Sequence, residues 1–522
     1  MREWTKRRSD GLILLLLGAV AFLVIGIAWR RVSRIEMGDF KVVYYGARCL
    51  LERGDPYSER DVLRVYYAEG QERPTEPVLD RQVKSRYFYP PTAFVFTVPF
   101  ALLGFTAGGV AWTVLLSGSF ILAAIAAWDL AADASPIMSG VLAGLVLMNS
   151  FWLFMIGNSA GIAVSLCVVA VWTFYRQRFV LPGVLCLAVS LALKPNDSGL
   201  VWLFLLLAGG VFCKRALQSL AVLAISSIPM VAWVTQRSPH WVTELKSNMA
   251  SLSGIGSIVD PAATGMAGRN MDSLVQLQTV VSIFFEKPQV YDLITYVICA
   301  ILLLLWVLVA VRYGASANGI WLALAAAAPL SMLPTYHFQH DAKLLMISIP
   351  ACAVLWARRG LLGWSSLVIT VAGILMTGDI FTGARIFLTR GIQVPQPSFL
   401  SRFATSVLTR PAPLILLAMA VFYLWALVKT SGESATTGAD SSVREEREPN
   451  PCETQTTVHK ESEASNWLTR RTSRLLKGIR EPFERLRLRR IRETLNSNPR
   501  RWNGIWGSES GGCVRFGSIE TR

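Results

Sequence analysis

The sequence is poor in charge and rich in long apolar runs. Only 16% of its 522 residues are charged, whereas 53% are hydrophobic. Uncharged runs recur from Gly11 to Val428, each near the ~20 residues that a helix needs to cross ~30 Å of hydrocarbon. Lipid offers no partner to an unpaired backbone group, so helices are the expected element. These features predict an all-α polytopic membrane protein.

The chain also lacks the residue patterns of metal and nucleotide sites. Its eight cysteines are scattered without a Cys-x-x-Cys pair, which argues against a metal centre or a disulfide framework. No Asp-x-Asp pair is present to hold a metal against a nucleotide-sugar diphosphate, and no Gly-x-x-x-x-Gly-Lys-Ser/Thr loop is present to bind ATP. We therefore expect neither a metal ion nor another cofactor.

The surplus of positive charge is explained by membrane topology. Much of the formal net charge of +16 lies in the C-terminal tail and in short turns between apolar spans, as the positive-inside bias predicts. Nucleic acid is therefore not an expected partner. The basic groups that mark the cytoplasmic side are Lys6-Arg7-Arg8, Arg176-Gln177-Arg178, Lys214-Arg215, Arg312, Arg358-Arg359 and the tail after Lys429.

These markers fit about twelve membrane-spanning helices with both termini in the cytoplasm. The segment 92–103 contains Pro99 and is short, so we expect a re-entrant or interfacial segment there. The first span is long for a signal peptide and is followed by Arg30-Arg31, which predicts a retained anchor. The predicted spans are 11–29, 107–128, 137–156, 159–175, 179–194, 198–213, 215–234, 290–311, 317–333, 342–357, 362–381 and 411–428.

This topology places several polar groups on the extracytoplasmic face. Groups of this kind could lie on either face, so their shared side predicts that they are parts of one site. They are Asp39 within a first external loop, 30–106, the Gly157-Asn158-Ser159 turn, the Lys194-Pro195-Asn196-Asp197 turn, the 235–289 and 382–410 loops, and the stretch from Tyr336 to Asp341.

Asp39 is the candidate for acid–base chemistry. One interpretation is a surface ion pair with Lys41. Apolar neighbours such as Phe40 and Val43 favour another: a partly desolvated carboxylate with a raised pKa, which suits a general base. The residues expected to line a substrate pocket with it are Tyr44, Tyr45, Tyr89, Asn158 and Asp341.

Candidate cations for an anionic ligand lie elsewhere in the chain. Lys194 could snorkel to phospholipid headgroups, but its Lys-Pro-Asn-Asp turn separates two short helices where a charge can face a cavity. His337 and His340 are two of only four histidines; they could bind zinc, form a satisfied polar turn, or hydrogen-bond a phosphate or sugar, which we favour. Arg269 is a further external cation. A lipid phosphate is the anion expected at these residues.

The tail, 429–522, is predicted to be a cytoplasmic basic region. Residues 430–465 are rich in Ser, Thr and Glu and are expected to be disordered. The segment 467–495 carries apolar residues at helical spacing among arginines, which predicts an amphipathic segment on the anionic inner leaflet. A solvated tail is the alternative.

Five motifs along the chain form a recognisable series: Asp39 with Tyr44-Tyr45, Gly54-Asp55-Pro56-Tyr57, Tyr89-Pro90-Pro91, Lys194-Pro195 and the stretch from His340 to Leu345. With these motifs, the chain from Asp39 to Val428 resembles the membrane glycosyltransferases of family 87, which carry the DUF2029 domain and include polyprenol-phosphate-mannose-dependent mannosyltransferases. It departs from the family at Gly157-Asn158-Ser159, where members often carry Gly-Gln with a nearby Asn, and across 240–272.

The resemblance implies a GT-C-type bundle over residues 1–428, with short interfacial helices in its outer loops and an active site at the outer face of the plasma membrane. It also implies inverting transfer of a hexose, with mannose expected, from a polyprenyl-phosphate donor to a lipid or glycan acceptor. Asp39 would be the general base. Lys194, with His337 or His340, would stabilise the leaving phosphate.

Two other functions compete with this one. A secondary transporter would also have about twelve spans, but transporters usually carry charges or broken helices at bilayer depth, whereas these polar groups gather at one interface. A flippase for lipid-linked sugars would use the same cations. It would have no need of a base at Asp39.

Overall fold

A computed structural model describes residues 2–32, 37–70, 87–253, 260–262, 273–285, 287–314, 316, 318–389 and 398–445. Across these ranges the regular secondary structure is helical, apart from an isolated antiparallel bridge between Leu274 and Phe338. The prediction of an all-α protein is confirmed for this part of the chain. Arg269 and the predicted amphipathic segment 467–495 lie outside the described residues.

The chain divides into two units, Met1–Gly438 and Ala439–Arg522, and the site described below lies in the first. Two 3-10 helices, Pro91–Ala93 and Asp341–Ser348, each lead into an α-helix. The α-helices are Arg2–Val32, Gly38–Leu51, Glu59–Ala68, Phe94–Ala101, Phe105–Ala132, Pro136–Met148, Phe151–Ile156, Ser159–Arg176, Val180–Leu193, Pro195–Leu207, Gly210–Arg237, Trp241–Ser253, Gln278–Val281, Pro288–Tyr313, Gly319–Met332, Ile349–Ala357, Gly360–Met376, Asp379–Thr389, Phe399–Thr409 and Pro411–Glu445.

Within the described residues, seven helices are long and apolar enough to cross a membrane. An eighth is counted if Gly360–Met376 and Asp379–Arg385, which meet at 65°, form one bent span. The protein is therefore a multi-pass membrane protein. The seven are Glu3–Val32, Phe105–Ala132, Pro136–Ile156, Ser159–Arg176, Gly210–Arg237, Pro288–Tyr313 and Pro411–Ser431.

The other four predicted spans correspond to shorter helices. Val180–Leu193 and Gly319–Met332 have 14 residues each. At ~1.5 Å per residue such a helix is about 21 Å long, which is less than the ~30 Å hydrocarbon core. The predicted number of about twelve spans stays a prediction.

The apolar segment after Pro90 is too short to cross a membrane by itself. It forms the turn Pro91–Ala93 and the helix Phe94–Ala101, which are three and eight residues long. The hydroxyl of Thr92 donates to the backbone oxygen of Ala192 at 3.0 Å. This bond fixes the segment beside the end of the helix that precedes Lys194.

A small-residue helix at the centre of the bundle brings distant segments together. Every residue of Gly319–Met332 is buried, and its alanines let neighbouring helices approach closely. It packs against Pro195–Leu207 on one side and against the 3-10 helix Asp341–Ser348 on another. The turn that carries Lys194 is thereby placed next to the turn that carries Asp341.

Candidate functional site

A chain of side-chain contacts joins five of the predicted site residues at helix ends. Nδ2 of Asn158 lies 2.6 Å from Oδ2 of Asp39 and 3.0 Å from Nε2 of His340. The next residue, Asp341, accepts a 2.6 Å hydrogen bond from Nζ of Lys194. Asp39, Asn158, His340, Asp341 and Lys194 are called the polar cluster below. They come from four separate stretches of the chain.

Asp39 lies in the first turn of the helix Gly38–Leu51, directly after Met37, which adopts a left-handed backbone conformation (φ 41°). The residue as a whole is partly exposed. Burial raises the pKa of Asp39, while the hydrogen bond from Asn158 and the charge of Lys194 act in the opposite direction. The net shift is upward, so this carboxylate is a stronger base than an exposed aspartate.

Asn158 caps the helix Ser159–Arg176, since its Oδ1 accepts a 2.7 Å hydrogen bond from the backbone N–H of Ala160. That bond fixes the side-chain oxygen, so the amide N–H groups point at Asp39 and His340. Gly157 before it has a φ of 66°, and a Cβ there would lie 2.9 Å from side-chain atoms of Met37 and Phe40. Glycine is therefore required for this close approach.

His340 and Asp341 are the buried members that link the two ends of the cluster. Burial lowers the pKa of His340 to about 3, so its ring is neutral. Because Asn158 donates to Nε2, the ring proton is assigned to Nδ1. Burial opposes ionisation of Asp341, but the ammonium group of Lys194 outweighs it and holds the pKa of Asp341 below its usual range.

Lys194 occupies the junction between the helices Val180–Leu193 and Pro195–Leu207. Burial opposes its charge, but the carboxylate of Asp341 outweighs this effect and raises the pKa of Lys194 above its usual value. The side chain of Lys194 is 13% exposed, whereas that of Asp341 is 3% exposed. Lys194 and the partly exposed Asp39 are therefore the charged groups of the cluster that a ligand can reach.

His337 lies behind the cluster and has no exposed surface. Its Nδ1 is 3.0 Å from the backbone oxygen of Thr335, and its Nε2 is 2.9 Å from Nδ2 of Asn196 and 3.2 Å from Oδ1 of Asp197. The ring thus fixes the turn that carries Lys194. The sequence had predicted that His337 hydrogen-bonds a phosphate or a sugar. Both of its ring nitrogens instead contact protein atoms, so neither is presented to an incoming phosphate.

Tyr89 comes from the stretch of chain between the helices Arg2–Val32 and Phe105–Ala132, and its hydroxyl accepts a 3.0 Å hydrogen bond from Oγ of Ser159. Burial raises the pKa of Tyr89 to about 12. Ser159 is the serine of a Gly-x-Ser-x-Gly pattern, 157–161, which is typical of acyl-transfer nucleophiles. Here the serine is fully buried and hydrogen-bonded to Tyr89. The pattern therefore has a packing role at the start of the helix Ser159–Arg176.

Tyr44 and Tyr45 are directed away from the cluster into an aromatic group. The hydroxyl of Tyr44 donates to the backbone oxygen of Leu103 at 2.9 Å. Both rings pack on Phe105, at centroid distances of 5.3 and 5.7 Å, and Tyr45 also packs on Tyr66. These contacts hold the helix Gly38–Leu51, and with it Asp39, against the bundle.

A second buried cation was not recognised from the sequence. Nζ of Lys343 donates to the backbone oxygens of Asn149 and Thr377, at 2.8 and 3.0 Å, and lies 3.6 Å from Oδ1 of Asp379. The other carboxylate oxygen of Asp379 accepts from the backbone N–H of Trp152 at 2.7 Å. A lysine inside the apolar run 342–357 was the signal that could have revealed it.

The turn that carries the histidines is paired with a distant loop segment. The backbone N–H of Val275 donates to the oxygen of His337 at 3.0 Å, and that of Gln339 donates to the oxygen of Ser273 at 2.8 Å. This non-local pairing fixes the stretch that leads to His340.

The fold and the site define a multi-pass helical membrane protein with an ion-paired polar cluster at its helix ends. In the described part of the chain, no group of three or more His, Cys, Asp or Glu side chains is arranged to hold a metal ion. Comparisons with family models, curated proteins and solved structures find no match to this chain.

Proposed function

We propose that this protein is a GT-C-type membrane glycosyltransferase, with about twelve spans, that moves a hexose from a polyprenyl-phosphate donor to a lipid or glycan acceptor. Mannose is the proposed sugar. The observation that carries the proposal is the connection of Asp39 to Lys194. Asn158 lies 2.6 Å from Asp39 and 3.0 Å from His340, and Asp341, the next residue in the chain, lies 2.6 Å from Lys194. An inverting transfer needs a base and a cation for the leaving phosphate in one place.

In the proposed reaction, a carboxylate oxygen of Asp39 accepts the proton of the acceptor hydroxyl. The acceptor oxygen forms a bond to the anomeric carbon from the face opposite the phosphate. The bond between the anomeric carbon and the phosphate oxygen breaks, and polyprenyl phosphate leaves with the electron pair. The anomeric configuration is inverted.

Lys194 is placed to stabilise the leaving phosphate. Its ammonium group has three N–H donors, of which one is directed at Asp341. The remaining donors are available to the phosphate oxygens as their charge grows, and such fixed donors often supply the largest catalytic effect. His340 acts through Asn158 and Asp341 rather than by contact with the phosphate.

The charge distribution supports an extracytoplasmic site with both termini in the cytoplasm of a plasma-membrane protein. Arg8 and Arg176, two of the predicted cytoplasmic markers, both bind Asp129, at 2.6 and 2.9 Å. Arg176 ends the 18-residue helix that Asn158 caps, so these arginines and the polar cluster are separated by about 27 Å along one helix. The basic tail would then meet the anionic inner leaflet.

The test is transfer by the purified protein in proteoliposomes. Radiolabelled polyprenyl-phosphate mannose and a membrane lipid extract are supplied on the side of the polar cluster, and the products are separated by chromatography. We expect a labelled lipid or glycan product with the wild-type protein and none with Asp39→Ala. Relocation of the labelled donor across the bilayer without any new product would support a flippase instead.

A further inference from the structure

Two partly exposed aromatic rings lie beside the polar cluster. The ring centroid of Phe338 is 5.2 Å from that of His340, and the ring of Tyr336 meets Phe338 edge-on at 5.3 Å. His340 in turn contacts Asn158, which holds Asp39. Aromatic surface therefore continues outward from the buried histidine next to the proposed base.

The backbone that carries these rings is held from both sides. The N–H of Phe338 donates to Oδ2 of Asp341 at 2.8 Å. Phe338 also forms the bridge with Leu274, and both rings pack on Leu274, as Leu252 does, while these two aromatic residues keep part of their surface exposed. The rings are thus presented in a fixed position, which lowers the entropy cost of binding a ligand.

The charges of the polar cluster act on the hydroxyl of Tyr336. Burial raises the pKa of Tyr336, the charge of Lys194 opposes this shift, and the carboxylates of Asp341 and Asp39 add to it. Among the described residues, the Tyr336 hydroxyl has no hydrogen-bond partner, whereas the hydroxyl of Tyr89 is bonded to Ser159.

We propose that Phe338 and Tyr336 form the binding site for the hexose ring of the donor, a conclusion that rests on the proposed glycosyl transfer. The C–H groups of a pyranose carry weak positive charge and stack on the negative face of an aromatic ring. The Tyr336 hydroxyl bonds a sugar hydroxyl. We assign this site to the hexose of the donor because that sugar is attached to the phosphate that Lys194 is proposed to bind.

The test compares the affinity of the full-length protein for two ligands that differ only in the sugar: polyprenyl phosphate and polyprenyl-phosphate mannose. We expect Phe338→Leu to weaken binding of the mannose-bearing lipid by about 2- to 10-fold and to leave polyprenyl phosphate unchanged. Phe338→Tyr, which keeps an aromatic face, should bind the mannose-bearing lipid with the wild-type affinity.

Tyr336→Phe keeps the ring and removes only the hydroxyl, so it tests the site even if Phe338→Leu does not fold. It should also weaken binding of the mannose-bearing lipid alone, by about 2- to 10-fold. Phe285→Leu and Tyr67→Phe, at rings that are each 43% exposed elsewhere, are the matched controls and should change neither affinity.

Three results would overturn the inference, and they are distinguishable. Equal losses for both ligands in Phe338→Leu and Tyr336→Phe would show that the rings only support the fold. Unchanged affinity for both ligands would show that the sugar binds elsewhere. Failure of the wild-type protein to bind either lipid would refute the proposed function itself, and the sugar site with it.

Discussion

The side-chain amide of Asn158 donates a 2.6 Å hydrogen bond to the carboxylate of Asp39 while its oxygen caps the helix Ser159–Arg176. One residue thus connects the start of a long helix to the proposed base. A hydrogen bond to the ionised form of a carboxylate lowers its pKa, so Asn158 moderates the rise that burial causes at Asp39. The position of the base and its proton affinity are set by the same contact.

Replacing Asn158 should therefore move the pH dependence of transfer. The base must be ionised, so the wild-type rate should rise with pH through the pKa of Asp39, which lies above the ordinary value of 3.8. Asn158→Ser keeps a capping oxygen but removes the amide donor, which raises this pKa further. We expect the acidic limb of the pH–rate profile to shift to higher pH.

Asn158→Ala is the companion variant, because it removes the cap as well and should cost about 1 kcal/mol of additional stability. Thermal unfolding in detergent measures this loss separately from the rate. A pH–rate profile that is unchanged in Asn158→Ser would refute the link between Asn158 and the base.

The pair of Lys194 and Asp341 combines a structural role with a catalytic one. Lys194→Met leaves the buried carboxylate of Asp341 without its cation, which should cost about 3–5 kcal/mol of stability. The double variant Lys194→Met/Asp341→Leu removes both charges, so it should recover most of that stability and yet remain inactive. Recovery of transfer in the double variant would show that Lys194 does not act on the donor.

Lys343 should be a determinant of folding rather than of chemistry. It joins the carbonyl ends of two helices, at Asn149 and Thr377, and lies next to Asp379, so Lys343→Met leaves three acceptors without their cation. We expect a loss of about 3–5 kcal/mol, seen as a lower unfolding temperature in detergent. Lys246→Met, at an exposed position of the helix Trp241–Ser253, is the control and should unfold like the wild type. Equal stability of the two variants would contradict this role.

The sidedness of the site can be tested by cysteine labelling on intact cells. Thr335 is exposed next to the histidine turn, and Arg178 is exposed in a predicted cytoplasmic turn. A membrane-impermeant thiol reagent should modify Thr335→Cys from outside and should modify Arg178→Cys only after the membrane is permeabilised. The reverse pattern would place the polar cluster in the cytoplasm.

The sequence was informative where a polar residue interrupts an apolar pattern. Asp39, Asn158, Lys194, His340 and Asp341 were all selected in this way, and the fold brings them together. The orientation of a side chain depends on tertiary packing, which explains why the burial of His337 and the packing of Tyr44 were not predicted. The role of Lys343 was missed because this residue lies inside a predicted span, 342–357. Hydropathy does not reveal that this span is divided into the 3-10 helix Asp341–Ser348 and the helix Ile349–Ala357. The pairing of 273–277 with 333–339 is non-local and leaves no periodic signal.

The most direct test of the central claim is the rate of hexose transfer by Asp39→Asn, which keeps the shape of the side chain and removes the base. With donor and acceptor in excess, we expect the rate to fall by about 10²- to 10⁴-fold, because that is the usual contribution of a general base. Asp10→Asn, in the first helix, should retain the wild-type rate. A wild-type rate in Asp39→Asn would contradict the account.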